Sequence, residues 1–236
     1  MPYPIAHPLA VLPLAPLMGK LAVPSALVIG SIAPDLWYAL PFGSRHVTHS
    51  PEGLLLFCLP VSLAAYLLFH LLLKEPGLAL LPPMVSERLR GFAVQGLPAA
   101  PLHAVFGSLV LGSVTHLAWD ALTKSHAAGA PDINWLQHAS TLLGSLVLAW
   151  WLWRKLRSAP LASSPQDAGL SPSARAWVWA VLLVVASASA GWSAYEWPAI
   201  AFELDTLRRI AKTAAGAAMQ GLVVAAVLCC AAWKLR

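Results

Sequence analysis

The chain has 236 residues, 58% of them hydrophobic and 11% charged, and 15 Lys and Arg against 10 Asp and Glu give a net charge of +5. Soluble domains carry about 25% charged residues, so this composition, with a mean hydropathy of +0.69, excludes an ordinary water-soluble globule and points to lipid as the main solvent. The positive charge forms no basic stripe interleaved with aromatics, so no nucleic-acid partner is expected; the expected partner is the lipid bilayer, whose interfaces suit the 11 tryptophans.

The first forty residues are apolar but interrupted by Pro and Gly. Five prolines fall within the first sixteen positions and the first basic residue is Lys20, so this end reads as a retained segment rather than a cleavable signal. From Pro24 to Leu40 the run is marginal for a crossing and contains Pro34-Asp35, which predicts a short, broken helical element leaning on other helices. Next comes RHVTHS, Arg45 to Ser50, in which His46 and His49 are three apart and Thr48 or Ser50 can cap a helix starting near Pro51-Glu52.

Five runs are then long enough to cross a bilayer as helices: 54–73, 101–122, 133–153, 176–195 and 213–233. An open strand would leave its backbone polar groups unpaired in lipid. The expected fold is therefore all-α, a polytopic membrane helix bundle of five crossings plus the broken N-terminal element. Residues 154–175, rich in Ser, Pro and Ala, read as a flexible linker, dividing a region 1–153 from a C-terminal helix pair, 176–236. Cys58, Cys229 and Cys230 lie in apolar runs without ligand spacing and read as small buried hydrophobes.

Alternating the five crossings puts nine basic residues on one side, among them Lys74, Arg88, Arg90, Arg154, Lys155 and Arg157, and five on the other. The richer side is expected to be cytoplasmic. On that map Asp35, His46, His49, Asp120, His126 and His138 reach the opposite face, with His116 just below it. His116 and Asp120 are four apart and share one face of a helix, and Ser108 and Gly112 continue that face, where small residues let a neighbouring helix approach closely. Singly, each of these residues reads as an ordinary capped loop or a hydrogen-bonded histidine. Together, neutral imidazoles and carboxylates on one face form the donor set that Zn²⁺ and other first-row divalent ions prefer. His70 and His103 lie toward the other ends of their helices and are left out of this set.

The order His7, Ala-Pro-Asp35, Thr-His49-Ser50, then Gly112-xxx-His116-xx-Trp-Asp120-xx-Thr123 resembles a family of bacterial membrane proteins of unknown function related to the LexA-regulated, membrane-bound metal-dependent hydrolases. PYPIAHPLAVLPL, SALVIGSIAPD and LQHAS-TLLG also look like that family, and the resemblance covers about residues 1–150. More distantly, the ligand order is similar to that of zinc-dependent phospholipase C and the P1-type nucleases. That similarity implies one ion held by Asp35, His49, His116 and Asp120, a second involving His7 with Asp120, and a third held by His126 and His138. The chain departs from those enzymes in beginning Met1-Pro2 and in having Leu142 where an acidic ligand would stand, and Lys124 follows Thr123 where the membrane family would have a histidine. One or two ions are therefore expected rather than three.

The function these resemblances imply is a metal-dependent hydrolase, with zinc as the expected ion, acting on a phosphoester or lipid head group at the interface. Asp120 and His46 are the expected catalytic groups beside the metal. The location implied is a bacterial inner membrane, with the site on its non-cytoplasmic side. The rival reading is a non-enzymatic scaffold or transporter with a structural metal or ion site. A transporter calls for polar residues at mid-membrane and paired broken helices, whereas here the polar groups gather at one end.

Overall fold

The computed structural model describes residues 4–40, 42–90, 97–123, 135–159, 170–195 and 204–235. All regular structure among them is helical. The N-terminal region is broken as its prolines predict: a 3-10 turn at Pro4–Ala6, a short helix α1 (Pro8–Val11), and a further turn Leu14–Met18 that ends at Gly19 with φ +56°. Helix α2 (Pro24–Ile32) then opens on a proline and runs into a 3-10 segment, Ala33–Ala39, which carries Asp35.

A short helix α3 (Arg45–Thr48) leads to α4 (Pro51–Leu80), 30 residues long. Ser50 caps α4, its Oγ accepting the Gly53 N–H at 2.9 Å with Pro51 in the first turn. Within α4 the helix widens into π turns at Leu54–Cys58 and Phe69–Leu73. The remaining long helices are α5 (Leu102–Thr123), α6 (Trp135–Ser158), α7 (Pro172–Tyr195) and α8 (Leu204–Lys234).

Four segments are long and apolar enough to cross a bilayer: α4, α5, α7 and Arg209–Lys234 of α8. The fifth expected crossing does form a helix, α6, but it falls short in apolar content. Gln137, His138, Ser140 and Thr141 occupy its first turns, and Arg154, Lys155 and Arg157 its last. Most of each candidate span is outside the interior, from 39% of the window buried in α5 down to 6% in α7. In water such a surface would be an aggregation hazard. In a bilayer such a surface would face lipid, and the all-helical chain thus carries four helices long and apolar enough to span one.

The chain forms two compact units. The first comprises Met1–Trp37, Phe42–Leu68 and Val94–Pro160. Its centre is the crossing of α2 and α5, two helices with almost nothing between them. A Cβ on Gly30 would strike the Leu109 carbonyl, and one on Gly112 would meet the Leu27 carbonyl and lie 2.7 Å from the Ser31 nitrogen. Glycine at both positions lets the backbones touch. Serines fasten the crossing: Ser113 Oγ donates to the Gly30 carbonyl at 3.0 Å, and the Val23 N–H donates to Ser108 Oγ at 3.1 Å. Ala26, Tyr66, Val105 and Leu109 close the apolar core around it.

The second unit comprises Tyr38–Pro41, Phe69–Ala93 and Leu161–Arg236. It therefore joins the C-terminal helix pair to Phe69–Ala93, which run lengths alone place with the N-terminal region. Hydrogen bonds make that association: Trp179 Nε1 donates to the Leu80 carbonyl at 3.2 Å and Arg175 Nε to that of Ala79 at 3.3 Å. Gly221 admits Ser189 between α7 and α8, since a Cβ there would lie 3.0 Å from the serine Cβ. His70, left out of the site, lies 3.3 Å from Lys74 Nζ through Nδ1 one turn away, and His103 is exposed.

Candidate metal centre

Four elements of the first unit deliver their polar side chains to one buried point. His7 precedes α1; Asp35 sits in the 3-10 segment after α2; Arg45 and His49 lie at the start and end of α3; His116 and Asp120 face inward from α5. His7 and His116 are fully buried, and the Asp35 and Asp120 side chains are only 4% and 3% exposed.

The tautomer of His116 follows from its neighbours. Its Nδ1 lies 2.8 Å from the Ser31 carbonyl oxygen, which can only accept, so Nδ1 carries the proton and Nε2 presents a lone pair. That Nε2 has no hydrogen-bond partner and lies 3.8 Å from Asp35 Oδ2. His49 is held in a similar way, its Nδ1 2.9 Å from Thr48 Oγ1, with Nε2 3.6 Å from both Asp35 Oδ1 and Asp120 Oδ2. A histidine anchored through Nδ1 to an oxygen, with Nε2 aimed at a common point, is the outer-shell pattern of metal ligation.

His7 completes the cluster. Its ring stacks on His116 with centroids 3.7 Å apart and planes at 23°, and neither of its nitrogens has a hydrogen-bond partner. Its Nε2 lies 4.0 Å from Asp120 Oδ1. Burial first of all, and then the adjacent His116, push the His7 pKa down to about 3, with Asp120 pulling the other way. The ring is neutral at physiological pH.

Two donor sets emerge, Asp35–His49–His116 and His7–His116–Asp120, and within each the ligand atoms lie within 4.8 Å of one another. Tetrahedral zinc with bonds near 2.0–2.1 Å separates its ligands by about 3.3 Å, so small side-chain movements would close either set. Both sets need His116, which offers a single lone pair. One ion at a time can use it.

The structure brings together His7, Asp35, His49, His116 and Asp120 of the sequence-predicted residues. It does not bring His46 or His138 to them: both are exposed. His46 faces away because it follows Arg45 by one residue on a helix whose inward residues are Arg45 and His49. On α6 the buried side is Gln137, Thr141 and Gly144, one position out of phase with His138. His126 lies outside the described residues. Sequence reasoning missed Arg45, whose guanidinium forms a close ion pair with Asp120 Oδ2. It also missed Thr48, fully buried behind His49. The spacing of Arg45 and His49, four residues apart, was the available signal.

The fold and this cluster define an all-helical chain with four helices long and apolar enough to cross a membrane and a buried histidine–aspartate cluster. Residues 1–231 match the Domain of unknown function (DUF4184), and the chain belongs to that family. The match bears out a family of unknown function over more of the chain than the about 150 residues read in sequence, and it carries no link to the LexA-regulated hydrolases or to phospholipase C. No curated protein and no solved structure matches the chain.

Proposed function

We propose that this protein is a membrane-embedded metal-dependent hydrolase with one divalent ion, zinc by the chemistry of the donors, held by Asp35, His49 and His116. The observation that carries the reading is His116: a fully buried imidazole whose Nδ1–H is spent on the Ser31 carbonyl and whose Nε2 lone pair faces Asp35 without a hydrogen bond. A bare lone pair opposed to a carboxylate is unfavourable, and a cation between them reverses the sign.

When bound, the ion would lower the pKa of a water and polarise the scissile bond. The chain supplies the rest. Asp120, between His7 and His49, would be the carboxylate placed to orient a water at the centre and to take up its proton. The stacked His7 and His116 rings wall one side of the centre with apolar faces. A phosphoester, including a lipid head group, is the first substrate class to test, on the similarity of ligand order to zinc-dependent phospholipase C.

Metal analysis of the purified protein in detergent, after zinc supplementation and gel filtration, tests the reading. We expect about one ion per chain, lost in His116→Ala. A wild-type protein without metal would sink it, and a screen of phosphomonoesters, phosphodiesters and phospholipids then asks for turnover.

A second reading, a non-enzymatic protein with a structural ion site, draws support from the depth of burial of His7, His116, Asp35 and Asp120. Closed four-ligand sites are structural, while catalytic ones keep a position for water. Stoichiometric metal with no turnover on any of those substrates, and a melting temperature that falls sharply on chelation, would favour it.

A further inference from the structure

We propose that Arg45 is the anion-recognising side chain of this centre, selecting ligands that carry a phosphoryl-type oxyanion; this rests on the hydrolase reading only for what happens to the ligand afterwards. The case begins with charge. The centre gathers two carboxylates and three histidines, and a bare set of that kind repels anions. Arg45 brings a guanidinium into this set, paired with Asp120 Oδ2. An anionic ligand that approaches can be met by Arg45, by a bound cation, or by both.

Exposure points the same way. His7, Asp35, His49, His116 and Asp120 are each at most 8% exposed at the side chain, whereas Arg45 is 24% exposed. The guanidinium is thus the most accessible of these six side chains. The guanidinium also has capacity to spare. It carries five N–H donors in a planar fork, and among the described residues its only hydrogen bond goes from one terminal nitrogen to Asp120 Oδ2. The opposite edge can pair with an oxyanion while the Asp120 bond stays in place, or the whole group can turn toward the ligand.

The backbone permits that movement. Arg45 is the first residue of a four-residue helix, preceded by extended Ser44 and by Gly43 at φ +95°. Asp120, by contrast, is fixed on a 22-residue helix. Asp120 thus holds the arginine poised, and the arginine in turn masks Asp120 from the outside.

The test measures anion binding in nanodiscs of neutral lipid, on zinc-supplemented and on chelated protein, by calorimetric titration with inorganic phosphate and with short-chain phosphatidic acid. Wild type is expected to bind at least one of them. Arg45→Gln is expected to weaken that binding about 10- to 100-fold, the worth of one or two charge-assisted hydrogen bonds, with the metal content unchanged. Arg45→Lys, which keeps the charge without the fork, should fall between them and guards against a folding defect in the glutamine variant. Binding of phosphate assigns a soluble oxyanion; binding of phosphatidic acid alone assigns a lipid head group. Failure of wild type to bind either anion, or equal affinity in wild type and Arg45→Gln, would overturn the proposal. Absence of metal from wild type would overturn the hydrolase reading and leave the Arg45 comparison intact.

Discussion

The imidazole of His7 lies flat against that of His116, with ring centroids 3.7 Å apart and both side chains sealed from solvent. The stack joins the N-terminal turns of the chain to the middle of α5, more than a hundred residues away. It is compatible with two neutral rings and opposed to two charged ones.

This relationship fixes a pH dependence. His7 lies outside the four candidate spans, and its pKa falls from an ordinary 6.5 to about 3 on folding. The folded protein therefore binds fewer protons there than the unfolded chain, and stability rises with pH wherever the two differ. The His7 contribution is complete above about pH 6.5 and is lost progressively as pH falls toward 3. Thermal melts of chelated protein in detergent from pH 8 to pH 4 should show a declining melting temperature below about pH 6.5. In His7→Asn that decline should be visibly shallower.

The grip on His49 is separately testable. Thr48 is buried with its hydroxyl 2.9 Å from His49 Nδ1. Thr48→Val keeps the shape and removes the oxygen, so zinc affinity should fall about 10- to 100-fold, the usual loss for an outer-shell partner. Thr48→Ser should keep most of it. Competition with a chromogenic chelator reads both, and equal affinity in Thr48→Val and wild type would show that the hydroxyl does not orient the ligand.

The two carboxylates should not respond alike. Asp120 already shares its charge with Arg45, whereas Asp35 lies between the Nε2 atoms of His49 and His116 at 3.6 and 3.8 Å. Asp35→Asn should abolish stoichiometric zinc, and Asp120→Asn should weaken it while leaving a measurable fraction bound. The same metal analysis distinguishes them; the reverse ranking would move the ion to the His7–His116–Asp120 set.

Glycine 112 should be intolerant of even a methyl group. Gly112→Ala forces α2 and α5 apart, with an expected cost of about 1–3 kcal/mol from overpacking and a loss of zinc affinity, because His116 rides on α5 and Asp35 on the segment that continues α2. Gly107, on the same helix, would have nothing within 4 Å of an added Cβ; Gly107→Ala should be neutral or raise stability by about 0.5–1 kcal/mol. Paired melting curves of the two variants test the contrast.

Much of this was legible in the sequence. The four-residue spacing of His116 and Asp120, with Ser108 and Gly112 below, predicted both an inward face and a close helix contact, and α5 shows both. Asp35 and His49 were legible only as members of an ordered set, since a Pro-Asp pair or a loop histidine alone is commonplace. Helix phase was not legible where helices are short or begin in polar sequence. His46 and Arg45 exchange sides on a helix of four residues, and His138 and Gln137 do so at the start of α6. No periodicity can be read from a single turn. Of the five expected crossings, four are long and apolar enough by composition; α6 forms its helix with Gln137, His138, Ser140 and Thr141 in its first turns, which lower its mean hydropathy.

The crossing of α2 and α5 carries a wider consequence. Ser31 and His116, the pair that decides which nitrogen faces the centre, stand beside Gly30 and one turn beyond Gly112, so the aim of a ligand is set by the absence of two methyl groups. Chemistry recorded in six functional side chains is thereby also recorded in two residues that have none. A saturation screen of this protein would return a footprint extending down α5 past the last residue able to touch an ion, and its lower edge would mark where the helices part rather than where the ligands end.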